Sequence, residues 1–228
     1  MPVYNEQDSI LIVLMEWRKK LDELGINYTL CVLNDGSKDN TLSILQGFSN
    51  TYPQLNIVNK ENSGHGQTCV YGYKLALENN ADWIFQIDSD GQCAPQFFDE
   101  LVQNASQYKC VYGVRSTRDD GFKRMVISMF VTIFTWIATL QFIRDPNTPY
   151  RLIHADVMRK FVFEIPSDFH LANILVAVKS NKLSKIKWVK IHFRDRIGGT
   201  ASVKTFSFIK HGFKLFSQLR DAQRQYHE

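Results

Sequence analysis

Residues 83–92 read WIFQIDSDGQ, an apolar run followed at once by two carboxylates. The run Trp83–Ile87 predicts a buried strand, and Asp88 and Asp90 lie on the loop that leaves it. Carboxylates two residues apart, with Gln92 as a neutral oxygen donor, suit a hard divalent cation such as Mg²⁺ or Mn²⁺. Such a cation neutralises a diphosphate and makes a nucleotide a better leaving group. Because isolated Asp-x-Asp pairs are common in solvated turns, the surrounding pattern decides between the two interpretations.

Strand-like and helix-like segments alternate on both sides of this motif. The other predicted strands are Tyr28–Leu33, Leu55–Val58, Cys110–Val114 and Ile186–Phe193. This alternation predicts an α/β fold with a mostly parallel sheet flanked by helices, and with ligands at the carboxyl ends of the strands. Residues 2–6 read as the first loop of such a fold. The strand that would precede this loop is therefore expected to be missing or to lie upstream.

Three predicted loops meet at one edge of that sheet. Asp35-Gly36-Ser37 follows one strand, and residues 2–6 and the Asp-x-Asp loop follow two others. A tyrosine ring stacks on a base, and carboxylates accept hydrogen bonds from base N–H groups and ribose hydroxyls. The pattern predicts a nucleoside diphosphate site with a metal ion. The side chains expected to converge on it are Tyr4, Glu6, Asp35, Asp88 and Asp90.

The composition supports one folded domain with an uneven charge distribution. The 228 residues are 44% hydrophobic, which excludes disorder over the whole chain. The four cysteines are widely spaced and form no Cys-x-x-Cys pair, which favours reduced thiols and a cytoplasmic location. Residues 1–110 hold 7 Lys and Arg against 14 Asp and Glu, whereas residues 111–228 hold 20 against 9. The acidic half suits a metal, and the basic half suits phosphates, an anionic membrane surface or a solvated surface.

Two segments of the basic half are strongly apolar. Met125–Ile143 has 19 residues without a charge, which is the length of a membrane span. Hydroxyl groups recur along one face of this segment, at Ser128, Thr132, Thr135 and Thr139. That stripe favours a helix on a membrane surface or in a dimer contact over a span. A second predicted helix, Val203–Tyr226, carries an apolar stripe that packs on the domain or binds a membrane surface.

The ordered motifs resemble those of the family 2 glycosyltransferases. The nearest branch is that of the dolichyl-phosphate mannose synthases and polyprenyl-phosphate glycosyltransferases. The resemblance extends over most of the chain, and the order of the motifs is more specific than any one of them. The motifs that carry it are Pro2–Glu6, Asn34–Thr41, Asp88–Gln92, Gly113–Arg115, Asp145-Pro146 with Tyr150-Arg151, and Arg196 with the glycines after it.

The resemblance implies a GT-A fold and an inverting transfer of a sugar from a UDP- or GDP-sugar, dependent on Mg²⁺ or Mn²⁺. It implies donor contacts from Pro2, Tyr4, Glu6, Asp35, Gly36 and Asp88. It implies metal contacts from Asp88, Asp90 and Gln92. The acceptor would be a polyprenyl phosphate, or a glycan or lipid-linked precursor. The contacts to an acceptor phosphate would come from Arg115, Arg124, Ser128, Arg194 and Arg196.

The chain is thus expected to form one domain with two functional halves. Residues 1–115 would hold the nucleotide sugar and the metal, and residues 116–228 would hold the acceptor. Asp90 and Asp168 are the candidate catalytic carboxylates, since transfer to a hydroxyl needs a base whereas a phosphate acceptor is already an anion. Asp168 also fits a helix N-cap before Leu171. The Q-x-x-R-W signature of processive synthases is absent, which favours a single addition.

Other function classes stay open. A phosphohydrolase with Asp88 as nucleophile would carry its motif on the first strand and a second acidic pair downstream, and the sequence has neither. A non-catalytic sugar-nucleotide-binding protein is the third alternative. Nucleic-acid binding is not expected, because no nucleic-acid-binding module is recognised. We expect a protein at the cytoplasmic face of a membrane, with peripheral contact or a homodimer as the role of the uncharged helix.

Overall fold

The computed structural model describes residues 1–118, 122–167, 169, 172–198, 216 and 218–220. Most of the helix predicted over Val203–Tyr226 lies outside these residues, and so does Asp168. Within them the chain alternates strands and helices, as the sequence predicts. The strands are β1 (Pro2–Val3), β2 (Leu30–Asp35), β3 (Leu55–Lys60), β4 (Trp83–Gln86), β5 (Cys110–Arg118), β6 (Arg151–His154) and β7 (Ile186–Phe193). The helices are α1 (Ile10–Leu24), α2 (Thr41–Ser49), α3 (His65–Glu78), α4 (Phe98–Ala105), α5 (Phe122–Thr139), α6 (Ala155–Arg159) and α7 (Ala172–Leu183).

The first sheet has the order β1-β2-β3 and is parallel throughout. Val3 pairs with Asn34, and Asp35 pairs with Lys60. The strand that the sequence left as missing or upstream is thus represented by a short β1. Pro2 and Val3 form a two-residue strand, and only the residues after them are a loop. So short a strand has no alternation of side chains that a sequence pattern could reveal.

The second sheet has the order β4-β6-β5-β7 and is mixed. β6 runs antiparallel to both β4 and β5, whereas β5 and β7 are parallel. The sequence did not reveal β6, because Arg151–His154 is only four residues long and follows a polar loop. Its first residue, Arg151, is fully buried and donates hydrogen bonds to the carbonyls of Thr148 and Asn173, both at 2.6 Å.

Two apolar clusters hold the helices on the sheets. In α1 the buried positions follow helical spacing and include Trp17, whose ring contacts Phe85, Phe98 and Tyr150. This cluster fixes α1 against β4 and α4 and so sets the position of the loop after β1. The second cluster packs α3, α6 and α7 around β5. Both clusters leave the carboxyl ends of β1, β2 and β4 to the loops that follow them.

Helix α5 contains most of the uncharged segment. Thr135 and Thr139 are fully buried, and their hydroxyls donate to the carbonyls of Val131 and Thr135, both at 2.7 Å. The hydroxyl stripe thus faces the protein and satisfies its hydrogen bonds within the helix. None of the helices in the described part of the chain has the length and apolar character needed to cross a membrane.

Candidate active site

The loops after β1 and β2 are joined by hydrogen bonds between backbone and side chains. The Asn5 N–H donates to Ser37 Oγ at 3.0 Å, and the Lys38 N–H donates to Asn5 Oδ1 at 2.8 Å. Asn5 and Gly36 both have left-handed backbone, with φ of 54° and 68°. A Cβ on Gly36 would lie 3.0 Å from the Asn62 amide nitrogen, so both its φ and its close packing favour glycine. These contacts join the loop that holds Tyr4 and Glu6 to the loop that holds Asp35 and Gly36.

Asp35 ends β2 and is buried. Its Oδ1 accepts a hydrogen bond from Lys60 Nζ at 2.5 Å and from the Ser63 N–H at 2.9 Å, and its Oδ2 accepts from the Gly64 N–H at 3.0 Å. Burial alone would raise the pKa of Asp35, but these donors outweigh it and the pKa is lowered. Asp35 is therefore an ionised carboxylate at neutral pH.

Asp88 and Asp90 lie on the turn after β4, as predicted. Asp88 Oδ1 is 2.9 Å from His65 Nε2, at the start of α3. Burial would raise the pKa of Asp88, but the charge and hydrogen bond of His65 reverse the shift, so the pKa is lowered. Burial raises the pKa of Asp90 to about 6, and the neighbouring charge of Asp88 adds to this rise. The ionised form of Asp90 is thus held at a cost that a bound cation would relieve.

The segment after β7 packs on this turn. The Ile197 N–H donates to the Asp90 carbonyl at 3.1 Å, and the Arg194 N–H donates to the Gln92 carbonyl at 3.2 Å. Gly91 has a φ of 77°, and a Cβ there would lie 2.4 Å from Ile197 Cδ1. Gln92 is buried, and its Nε2 donates to the Arg194 carbonyl at 3.3 Å. Residues about 100 positions apart in sequence therefore build one wall of the site.

Arg196 and Arg194, predicted to bind an acceptor phosphate, both pair with carboxylates. The Arg196 guanidinium pairs with Glu6 and places Nη1 3.7 Å from Asp90 Oδ2. Arg194 pairs with Glu16 on α1, and its Nε donates to the Gly91 carbonyl. Their role toward an acceptor stays a prediction.

Arg115 pairs with Asp145 through two hydrogen bonds, from Nε at 2.6 Å and from Nη2 at 2.5 Å. This pair joins β5 to the segment after α5. Ser128 is half-buried on α5, and its carbonyl accepts the Thr132 hydroxyl at 3.0 Å. The side chain of Arg124 lies outside the part of the chain that the structure describes.

The remaining predicted site residues are Pro2, Tyr4 and Asp168. Pro2 is buried within β1, and Tyr4 is half-buried on the loop after it. Asp168 is outside the described residues, and Pro166 and Phe169 on either side of it contact α3. Gln67 on α3 donates through Nε2 to the carbonyls of Pro166 and Phe169, each at 3.0 Å.

Among the side chains that sequence reasoning missed, three ionisable ones contact predicted site residues. Lys60 is the last residue of β3 and pairs with Asp35 in the strand register, so a correct β2–β3 register would have found it. His65 begins α3 and Glu16 lies on α1, and neither position carries a local signal for its contact. Both depend on the tertiary packing.

The sequence model of Glycosyl transferase family 2 matches residues 1–165. The chain belongs to that family. This confirms the family that the ordered motifs indicated, whereas the dolichyl-phosphate mannose branch is not singled out. The family and the fold support a glycosyltransferase.

Curated relatives resemble the chain over different shares of their length. An uncharacterised protein of Methanocaldococcus jannaschii is 28% identical over 207 residues, which cover 85% of this chain and 87% of that relative. The uncharacterised glycosyltransferase YkcC of Bacillus subtilis is 33% identical over 138 residues, which cover 59% of this chain and 42% of that relative. The chain thus spans less than half the length of YkcC.

Among solved structures, the chain resembles glucosyl-3-phosphoglycerate synthase of Mycobacterium tuberculosis in complex with Mn²⁺, uridine diphosphate and phosphoglyceric acid. The TM-score is 0.70 at 16% identity, over 97% of this chain and 76% of that one. The same enzyme has also been solved with Mn²⁺ and UDP-glucose, and matches with a TM-score of 0.68. The likeness confirms the predicted GT-A fold.

The donor set of the Asp88–Asp90 turn fits a cation that binds together with phosphates. In the described residues, no group of three or more His, Cys, Asp and Glu side chains could hold a metal ion by itself. Mg²⁺ is commonly bound through one or two carboxylates together with substrate phosphates and water. Asp88 and Asp90 supply two carboxylates, and Gln92 adds an amide to the same turn. This arrangement fits a divalent cation that bridges the protein and a diphosphate.

Proposed function

We propose that the chain transfers a sugar from a nucleoside diphosphate sugar to an acceptor, with a divalent cation held by Asp88 and Asp90. The closeness of the Asp35 loop to the Asp88–Asp90 turn carries this proposal: Gly64 donates to Asp35, and the next residue, His65, contacts Asp88. A carboxylate suited to a base and a pair suited to a metal thus lie on neighbouring loops. The presence of Mn²⁺ and uridine diphosphate in the resembling synthase supports it. The bound cation would neutralise the diphosphate leaving group.

The Asp35–Lys60 pair favours a particular kind of base. A carboxylate accepts a hydrogen bond from a ring N–H, and an ammonium beside it donates to a ring carbonyl. Uracil and guanine each present an N–H next to a C=O, whereas cytosine and adenine present an amino group at the corresponding position. Lys60 Nζ and Asp35 Oδ1 are 2.5 Å apart, so a base that binds here would meet both groups along one edge. We therefore propose a UDP- or GDP-sugar as the donor.

For the acceptor we propose a polyprenyl phosphate or another lipid-linked or glycan precursor. An arginine guanidinium matches phosphate oxygens with a planar fork. Arg194 and Arg196 contact the Asp88–Asp90 turn, Arg115 lies on β5, and Arg124 and Ser128 lie on α5. A phosphate acceptor has no proton to lose on attack, so the demand on a base such as Asp168 would be small. Such an acceptor would bring the enzyme to the cytoplasmic face of a membrane.

A thermal-shift screen of nucleoside diphosphate sugars with and without Mn²⁺ tests the donor proposal. A ligand that binds only the folded protein raises its melting temperature. We expect a rise with UDP- or GDP-sugars that depends on Mn²⁺, and none with ADP- or CDP-sugars. Transfer of radiolabelled sugar from the active donor to a polyprenyl phosphate, measured by solvent extraction, then tests the reaction. Binding without release of nucleotide would instead indicate a sugar-nucleotide-binding protein.

A further inference from the structure

Helix α5 and the loop after it expose a continuous apolar surface. We call this surface the α5 apolar face. It consists of Met129, Phe130, Ile133, Trp136, Ile137, Leu140 and Phe142. The exposed fraction of these residues runs from 42% at Ile133 to 83% at Leu140. The positions in α5 follow helical spacing, so they share one side of the helix, opposite the buried Thr135 and Thr139. Exposed apolar residues in this number and this continuity mark an interaction surface.

The end of the helix holds an apolar side chain in solvent under backbone strain. Leu140 has a φ of 57°, a conformation that glycine adopts at helix ends and that a branched residue rarely adopts. Its N–H still donates to the Trp136 carbonyl at 2.7 Å. The centroids of the Trp136 and Phe142 rings are 6.4 Å apart. Leu140 thus extends the exposed apolar surface beyond the end of α5, between two exposed aromatic residues.

The charged residues within the segment that forms the α5 apolar face are all basic. No Asp or Glu occurs from residue 121 to residue 144, a range that includes Lys123, Arg124 and Arg144. Gln141 accepts a hydrogen bond from Asn181 at 3.0 Å, which places the end of α7 beside this loop. The range 172–193 also has no acidic residue, and Lys182 and Lys185 follow Asn181 as exposed side chains. Arg144 is exposed, and its carbonyl accepts the Thr132 hydroxyl at 3.4 Å, so it lies beside the middle of α5.

We propose that the α5 apolar face lies on the surface of a bilayer that contains anionic lipids. Its apolar side chains would enter the layer between headgroups and acyl chains, where tryptophan is favoured, and the lysines and arginines would contact the lipid headgroups. A second copy of the chain is the less suitable occupant. In a two-fold contact the basic residues around one face would meet the same residues around the other, and like charges oppose such a contact. Binding to lipid requires neither donor nor acceptor, so this proposal is independent of the sugar transfer.

Sedimentation of the full chain with phosphatidylcholine vesicles, with and without phosphatidylglycerol, tests the proposal. We expect binding only to the vesicles that contain phosphatidylglycerol, and release at high salt. Ile137→Ser should weaken this binding about tenfold, the effect of removing one buried aliphatic side chain. Met15→Ser is the matched control, since Met15 is 57% exposed on α1, and it should bind like the wild type.

Fluorescence gives a second readout that does not depend on stability. Tryptophan emission should shift to shorter wavelength on binding, and Trp136→Phe should abolish that shift while leaving sedimentation nearly unchanged. Vesicle binding that Ile137→Ser leaves intact would overturn the proposal. No vesicle binding would overturn it as well. In that case a dimer that Ile137→Ser dissociates would assign the face to a second copy.

Discussion

Lys60 Nζ lies 2.5 Å from Asp35 Oδ1, so an ion pair links the adjacent last residues of β2 and β3. Both side chains are largely buried, with 18% and 4% of their surface exposed. Breaking a pair of this kind leaves one charge without its partner, whereas removing both partners costs much less. The pair therefore links the stability of the fold to the base-binding part of the proposed site.

Replacing Lys60 tests this double role. Lys60→Met should lower the free energy of unfolding by about 3 kcal/mol, because Asp35 stays buried without its counter-ion. The double variant Lys60→Met/Asp35→Leu should recover most of that loss. Lys19→Met removes a lysine whose side chain is 80% exposed and should change stability by less than about 1 kcal/mol. Urea unfolding measures all four proteins, and equal stability of the single and double variants would contradict the ion-pair account.

The contribution of Asp35 to the free energy of unfolding should decrease as the pH falls. Its pKa is lower in the folded protein than in the unfolded chain, so its contribution is fully present above the unfolded pKa of about 4 and is lost as the pH falls through the folded value. The difference in unfolding free energy between wild type and Asp35→Asn should therefore shrink as the pH is lowered below 4. A difference that stays constant or grows toward acid pH would show that Asp35 does not titrate as the structure indicates.

Replacing Arg196 tests whether this residue contributes to acceptor binding or to donor binding. Arg196→Ala should raise the KM for a lipid-phosphate acceptor by roughly tenfold or more, the effect of losing one charged hydrogen bond. The affinity for the donor, measured by calorimetry, should change much less. Arg159→Ala, on α6, is the control. If donor affinity falls as much as acceptor use, Arg196 belongs to the diphosphate site, as its contacts with Glu6 and Asp90 also allow.

Gly91 shapes the Asp88–Asp90 turn through both its φ and its packing. Gly91→Ala should destabilise the protein more than Gly25→Ala, since both glycines have positive φ but only a Cβ at Gly91 meets Ile197. Gly25→Ala should cost about 1 to 2 kcal/mol for the backbone alone. Adding Ile197→Ala to Gly91→Ala should remove the steric part of the difference. Thermal unfolding measures these effects, and equal costs at the two glycines would contradict the packing described here.

The sequence predicts the features that depend on local pattern. The strands at Leu30–Asp35, Trp83–Gln86 and Ile186–Phe193 are found close to the predicted ranges, because apolar β-branched and aromatic runs bounded by turn residues identify buried strands. β1 and β6 were missed because two- and four-residue strands depend on their neighbours for pairing. The hydroxyl stripe of α5 was recognised, but only the structure shows that it faces inward and leaves the apolar residues exposed.

The sequence likewise predicts some features of the candidate site and misses others. Asp35 ends β2, and Asp88 and Asp90 follow β4, as the fold class predicts, but these two strands belong to different sheets. Gly64, which donates to Asp35, and His65, which contacts Asp88, link the two loops. The pairing of Arg196 with Glu6 joins residues 190 positions apart and depends on how the segment after β7 packs on the Asp88–Asp90 turn. No local pattern in either segment indicates that contact.

Isothermal titration of a UDP-sugar, with and without Mn²⁺, tests the central claim most directly when wild type is compared with Asp90→Asn and Asp82→Asn. Asp82 is an exposed carboxylate just before β4, at the end opposite the Asp88–Asp90 turn, and is the matched control. We expect Mn²⁺ to strengthen donor binding in the wild type and in Asp82→Asn, and to have little effect in Asp90→Asn. Unchanged Mn²⁺-dependent affinity in Asp90→Asn would contradict the account.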